Sequence, residues 1–133
     1  MNEWRYAQPP VAWRTVIFAR AGSPLVTVRA ELARDNAAGL MGRTELPEGQ
    51  GMLFDMGQNS MHRFWMKGVP IALDIVFLFS RGPSEAIVSS VVENAQPQSE
   101  TFHWGSGRWV LEVPGGWAAR HSIRVGQRVD VGG

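Results

Sequence analysis

The sequence predicts a mostly β, single-domain protein: a sandwich or barrel of short strands with one or two short helices. Three observations lead there. Leu25–Ala33 alternates with the two-residue period of a half-buried strand, setting Val26, Val28, Ala30 and Leu32 on one face and Thr27, Arg29 and Glu31 on the other. Leu73–Phe79 is an apolar run broken only by Asp74, as expected of a central strand covered on both faces. Fifteen Gly and eight Pro are spread through 133 residues at short intervals, which suits many tight turns rather than one long linker.

The remaining elements follow in chain order. Residues 1–13 read as a mobile N-terminal arm and 14–131 as one domain. Arg14–Arg20 is the expected hairpin partner of Leu25–Ala33, joined to it by Ala21-Gly22-Ser23-Pro24. Asp35 is placed to cap a short helix in which Ala37, Leu40 and Met41 recur at i, i+3 and i+4, with Gly42 as its stop. In His62–Lys67 a strand would turn Phe64 and Met66 inward and leave Arg63, Trp65 and Lys67 together on the opposite face. Ala86–Val92 is β-branched but shifts phase at Ser89-Ser90, the mark of a bulge. Arg108–Val113 points Trp109, Leu111 and Val113 inward and Arg108, Val110 and Glu112 the other way. Trp117–Ser122, after Pro114-Gly115-Gly116, has room for one or two helical turns, and Gln127–Val131 closes the chain as a short, edge-like strand.

Composition removes whole classes of chemistry. Thirteen Lys and Arg against twelve Asp and Glu leave a net charge of +1, so bulk electrostatics predict no nucleic-acid partner. With no cysteine there is no disulfide, thiolate nucleophile, zinc ribbon or iron–sulfur cluster. No apolar run approaches the roughly 20 residues of a membrane-spanning helix. The N-terminal residues show no basic segment, apolar stretch and cleavage site of a signal peptide. Phosphate-binding glycine loops, zinc-protease and nucleophile-elbow motifs are missing. His62, His103 and His121 lie far apart without carboxylates at metal-ligand spacing. Met52, Met56, Met61 and Met66 crowd one region, and thioethers hold copper(I). Without cysteine, and with His62 alone nearby, packing is the better reading. The expectation is therefore a protein without cofactor or metal.

Two residues stand out. Lys67 is the single lysine among thirteen basic residues, a compact ammonium where the chain otherwise uses arginine. Its plainest role is a cation–π contact with Trp65. Asp74 interrupts the apolar strand, and a carboxylate there must be paired or hydrogen-bonded. Gly68 and Pro70 allow the chain to turn between them, so an ion pair of Lys67 with Asp74 beneath the Trp65 ring is one expectation. The other is that Asp74 ties down the backbone amides of a turn.

The blocks Gly39-Leu40-Met41-Gly42-Arg43, Leu46-Pro47, Gly51-Met52-Leu53-Phe54, Phe64-Trp65-Met66-Lys67, Leu73-Asp74-Ile75, Val92-Glu93-Asn94-Ala95 and Trp109-Val110-Leu111-Glu112 resemble the bacterial and archaeal family called domain of unknown function 192. Gly126 before the last strand continues the order, and the resemblance runs from about Val26 to Val131. It implies a compact, mostly β fold and frequent export to the cell envelope or periplasm, and it implies no activity. Members often carry cysteines where Gln96–Gly107 has none, and a polar residue, often Asn, where this chain has Gly68.

Two functions remain on these residues. A binding or structural module would present Trp65, Lys67, Asp74, Arg43 and Glu112 as a stacking surface with charge at its edge, for a sugar or small anionic ligand. The alternative is a small hydrolase or lyase using Lys67 with Asp74, Asp55 or Glu112 as acid or base. The oligomeric state is not encoded in any recognisable pattern.

Overall fold

The computed structural model describes residues 11–133. Of the expected N-terminal arm, residues 1–10 lie outside the described residues. Trp13 already belongs to the first strand.

Seven strands form a closed barrel rather than a sandwich: β1 (Trp13–Phe18), β2 (Val26–Leu32), β3 (Gln50–Phe64), β4 (Leu73–Ser80), β5 (Glu85–Ala95), β6 (His103–Pro114) and β7 (Arg128–Asp130). Around the barrel the order is β1-β2-β3-β6-β4-β5-β7, with β7 returning to β1. The closing strand is therefore not an edge. β7 pairs with β1 through Ile17 and Phe18 and with β5 through Glu85–Ile87, which removes the open sheet edges a sandwich would leave. The expected β1–β2 hairpin is present, with Val16 opposite Val28. The phase shift in β5 is a bulge: Phe77 pairs with Ser90 and Leu78 with Val88, so Ser89 has no opposite number.

Inward-pointing Val16, Phe18, Val28, Leu53, Val76, Leu78, Trp109 and Leu111 fill the barrel. A second apolar layer lies on the outside of β3, β6 and β4, built from Leu40, Met52, Phe54, Phe64, Met66, Leu73, Ile75, Phe77 and Val110. This explains why Leu73–Phe79 is apolar on both faces, and why Val110 and Glu112 are buried on the face opposite Trp109 and Leu111.

What covers the outer layer follows from topology. β2 and β3 are parallel, with Arg29 opposite Gln50 and Leu32 opposite Leu53. Parallel neighbours require a crossover, and residues 33–49 make it by running over the outer face. The expected helix at Asp35–Gly42 does not form within this crossover. Asp35 does accept a hydrogen bond from the amide of Ala37 (2.9 Å), but Gly39 and Gly42 adopt positive φ (50° and 79°). The segment is thus a chain of turns. Asn36 anchors it by donating to the carbonyl of Asp55 (3.1 Å), and the Gly42 amide donates to the carbonyl of Gly68 (2.8 Å).

The short helix α1 (Trp117–Arg120) does form, and it plugs the barrel with Trp117 tilted against Phe18 at 5.4 Å. Beyond the ladder shared with the barrel, Ser60–Phe64 of β3 and His103–Gly107 of β6 continue as a two-stranded ribbon.

Candidate functional site

Asp74 lies on β4, fully buried, with the inward-facing parity of Val76 and Leu78. Its Oδ1 accepts from the amides of Asn94 (2.7 Å) and Gly116 (3.0 Å), and its Oδ2 from the amide of Ala118 (2.8 Å). The carboxylate thus supplies, from a neighbouring strand, the cap that α1 lacks within its own sequence, where glycine holds the N-cap position. The amide-tying role is the correct one, although the amides belong to Asn94 and to the 116–118 turn. No ion pair joins Asp74 to Lys67 among the described residues, because three backbone donors already occupy the buried carboxylate.

Asp55 is likewise engaged. It holds Arg108 through two hydrogen bonds of 2.9 and 3.0 Å, and those bonds above all keep its carboxyl below the usual carboxylate range. Arg43 extends from the crossover to Glu31 (2.8 Å) and does not line the cavity described next, so it leaves the predicted ligand set.

Lys67, Trp65 and Glu112 do come together. They line a cavity of about 370 Å³ between the crossover and the outer sheet face. Its walls include Gly39, Phe54 and Phe64, and Arg63 and Phe102 stand at its exposed side. Glu112 is 3 % exposed, and no hydrogen bond or ion pair reaches its side chain from any described residue. It sits in a row across the sheet, with Glu31 opposite Met52 and Met52 opposite Glu112. Glu31 has Arg43, whereas Glu112 has only apolar neighbours on its strands, Met52 and Ile75. Burial without compensation pushes the Glu112 carboxyl up to about 8. At neutral pH it is mostly a neutral acid, able both to donate and to accept a hydrogen bond.

Gly39 lines the cavity, and Gly68 packs against Met41 of its wall. A Cβ on Gly39 would stand 3.1 Å from the Phe54 ring and 3.8 Å from Glu112 Oε1, so glycine both permits the φ of 50° and lets the backbone pass close over the carboxyl. Gly68 has φ 77°, and a Cβ there would meet Met41 Cγ at 2.6 Å.

At the mouth, Lys67 Nζ lies 5.2 Å from the Trp65 ring centroid and Trp65 stacks on Phe102 (5.2 Å, 12°). The Arg63 guanidinium lies 4.3 Å from Phe102 and 5.9 Å from Trp104. Phe102 and Trp104 carried no signal in the sequence, because they meet Arg63 only in the fold, Trp104 as its opposite number in the strand pairing and Phe102 by stacking under its guanidinium. A larger hollow of about 440 Å³ lies beside β7, where Arg81 and Arg128 are balanced by Glu85 and Asp130. It has no buried, unpartnered group to make it a site. Three of the four methionines behave as packing, Met52 and Met66 in the core and Met56 against it, whereas Met61 is exposed. No group of three or more metal-ligating side chains occurs among the described residues.

The model of domain of unknown function 192, described as an uncharacterised conserved family, matches residues 16–131. The chain belongs to that family. Two crystal structures are similar to this chain in fold. One, from Sinorhizobium meliloti 1021, is described as a candidate transcription regulator and superposes with a TM-score of 0.83 at 29 % identity, covering 94 % of this chain and 98 % of its own. The other, a protein of unknown function from Novosphingobium aromaticivorans DSM 12444, gives a TM-score of 0.78 at 33 % identity, covering 98 % and 97 %. Comparison with curated proteins finds no match.

Proposed function

We propose that this domain binds a small hydroxylated, anionic ligand, such as a sugar acid, in the cavity over Glu112. The observation that carries this reading is a buried carboxyl without a partner among the described residues, facing a cavity with cations at its mouth. Ligand sites combine an apolar enclosure with a few convergent polar groups, and a group of perturbed acidity in a cleft marks such a site. A neutral Glu112 suits a ligand hydroxyl, which needs one donor and one acceptor. Lys67 and Arg63 suit a carboxylate at the entrance. The envelope as its place of action rests on the family resemblance alone. The description of the Sinorhizobium relative as a regulator is not extended to this chain, whose net charge of +1 gives little to attract DNA.

Thermal denaturation with glucuronate, glucose and acetate as probes tests the reading. A ligand at about 100 times its Kd adds about 2.7 kcal/mol, a shift of several degrees. Glucuronate at about 10 mM is expected to stabilise the protein more than glucose or acetate, and Glu112→Leu and Lys67→Met to reduce that gain. No stabilisation by any probe, or equal gains in both variants, would count against it.

Glu112 also favours a second reading, that of a general acid. A carboxyl raised to about 8 holds its proton at neutral pH, as a catalytic acid must. Asp74 and Asp55, the other acids considered with Lys67, are engaged elsewhere, so such an enzyme would rest on Glu112 with Lys67. Turnover of a bound probe that is lost in Glu112→Gln would favour this reading over simple binding.

A further inference from the structure

The β3–β6 ribbon is packed on one face only. Its inner face sets Phe64 edge-on to Phe54 (5.0 Å) and Phe77 (6.0 Å), and brings Gly105 so close over Phe77 that no side chain fits there. The solvent face of such a ribbon is ordinarily polar. Here Met61 is 58 % exposed and Trp104 56 %, and Phe102 and Trp65, in the segments that leave the ribbon, are 41 % and 36 % exposed. Large apolar side chains gathered on one exposed face mark an interaction surface, whereas scattered ones need no explanation.

We propose that this face docks on an anionic lipid surface. The arrangement of charge selects that partner. Arg63 lies opposite Trp104 in the strand pairing and rests on Phe102, while Lys67 rests on Trp65. Neither cation forms an ion pair with a carboxylate among the described residues, so both keep their charge for a phosphate oxygen. Aromatic and thioether side chains entering the headgroup boundary beside Arg and Lys is the composition of interfacial binding. Anionic lipid strengthens binding about fivefold for each basic residue near its surface. The surface borders the cavity mouth at Trp65 and Lys67 but needs nothing from Glu112.

Co-sedimentation with vesicles tests this on the full chain, comparing phosphatidylcholine alone with phosphatidylcholine containing about 30 mol% phosphatidylglycerol. The wild type is expected to pellet with the anionic vesicles, to bind neutral ones about fivefold or more weakly, and to be released by salt. Trp104→Ala and Arg63→Gln are each expected to lower binding about fivefold, and Arg128→Gln on β7 to leave it within twofold. Both ribbon side chains are exposed, so the fold tolerates their loss, and a thermal melt verifies it. The proposal is overturned by absence of pelleting, by equal binding to both vesicles, or by equal loss in the Arg63 and Arg128 variants. A lipid-free dimer that Trp104→Ala dissociates would also overturn it, assigning the face to a second copy of the chain.

Discussion

Asp74 and Glu112 stand on neighbouring strands, one step apart in register: Asp74 opposite Val113, Ile75 opposite Glu112. Both are buried acids in an apolar sheet, and the fold treats them in opposite ways. Asp74 points into the barrel and meets three backbone amides at 2.7–3.0 Å. Glu112 points outward, under a crossover loop in which a Cβ on Gly39 would stand 3.8 Å from its Oε1, and it accepts from no backbone amide of the described residues. The difference teaches what separates a structural from a functional carboxyl. A buried acid whose two oxygens both accept from backbone donors is a fastener. One left unpaired costs stability, and a carboxyl of raised pKa facing a cavity is a candidate to meet a ligand. That contrast is the reason for placing the site at Glu112.

The largest way to sharpen the contrast is Asp74→Ala, which strands three amides at the base of α1. A loss of roughly 3–5 kcal/mol in urea denaturation is expected. A loss below about 1 kcal/mol would show that those bonds are not made in solution.

Next comes the pH dependence of Glu112. Its folded value of about 8 lies above the ordinary carboxyl value of 4.5, so the folded state binds the proton more tightly than the unfolded chain. Its contribution is greatest below about pH 4.5, declines as pH rises through the window to 8, and is flat beyond. Integrated over that window the decline is roughly 3–5 kcal/mol. Glu112→Gln removes it, so the stability of the variant relative to wild type should climb between those limits. A pH-independent difference would place Glu112 with the paired carboxylates.

The smallest effect belongs to Lys67→Met. Exposed and held only by the Trp65 ring, Lys67 should contribute no more than about 0.5 kcal/mol to stability. A larger loss by thermal melt would make it part of the scaffold rather than of the cavity mouth.

Much of the barrel was legible in the sequence, because period-two alternation reports directly which side chains share a face. β2 and the inward set of β6 follow from it, while β4 was legible as an apolar run covered on both faces, β5 as a β-branched run with a phase shift, and β1 as the hairpin partner of β2. β3 was legible only at its end, around Phe64. Its 15 residues bury consecutive Gly51–Phe54 and then run exposed from Gly57 to Met61, so no single period spans them. Part of the crossover read as a helix because Ala37, Leu40 and Met41 recur at i, i+3 and i+4 behind Asp35, but left-handed glycines at 39 and 42 override that pattern. At the site, Trp65 beside Lys67 was visible as local sequence, and Glu112 as a polar residue on an alternating strand. Whether Asp74 met Lys67 or backbone amides depended on Asn94 and Ala118, which are 20 and 44 residues away, and no local pattern encodes such a meeting.

The central claim is that Glu112 stays protonated and unpaired beneath the crossover at neutral pH. A carbon-detected NMR titration of its side-chain carboxyl, assigned by difference against Glu112→Gln, measures this directly. A midpoint near 8 is expected. A midpoint near the ordinary 4.5 would mean that the carboxyl is solvated or paired, and the cavity would lose its defining group.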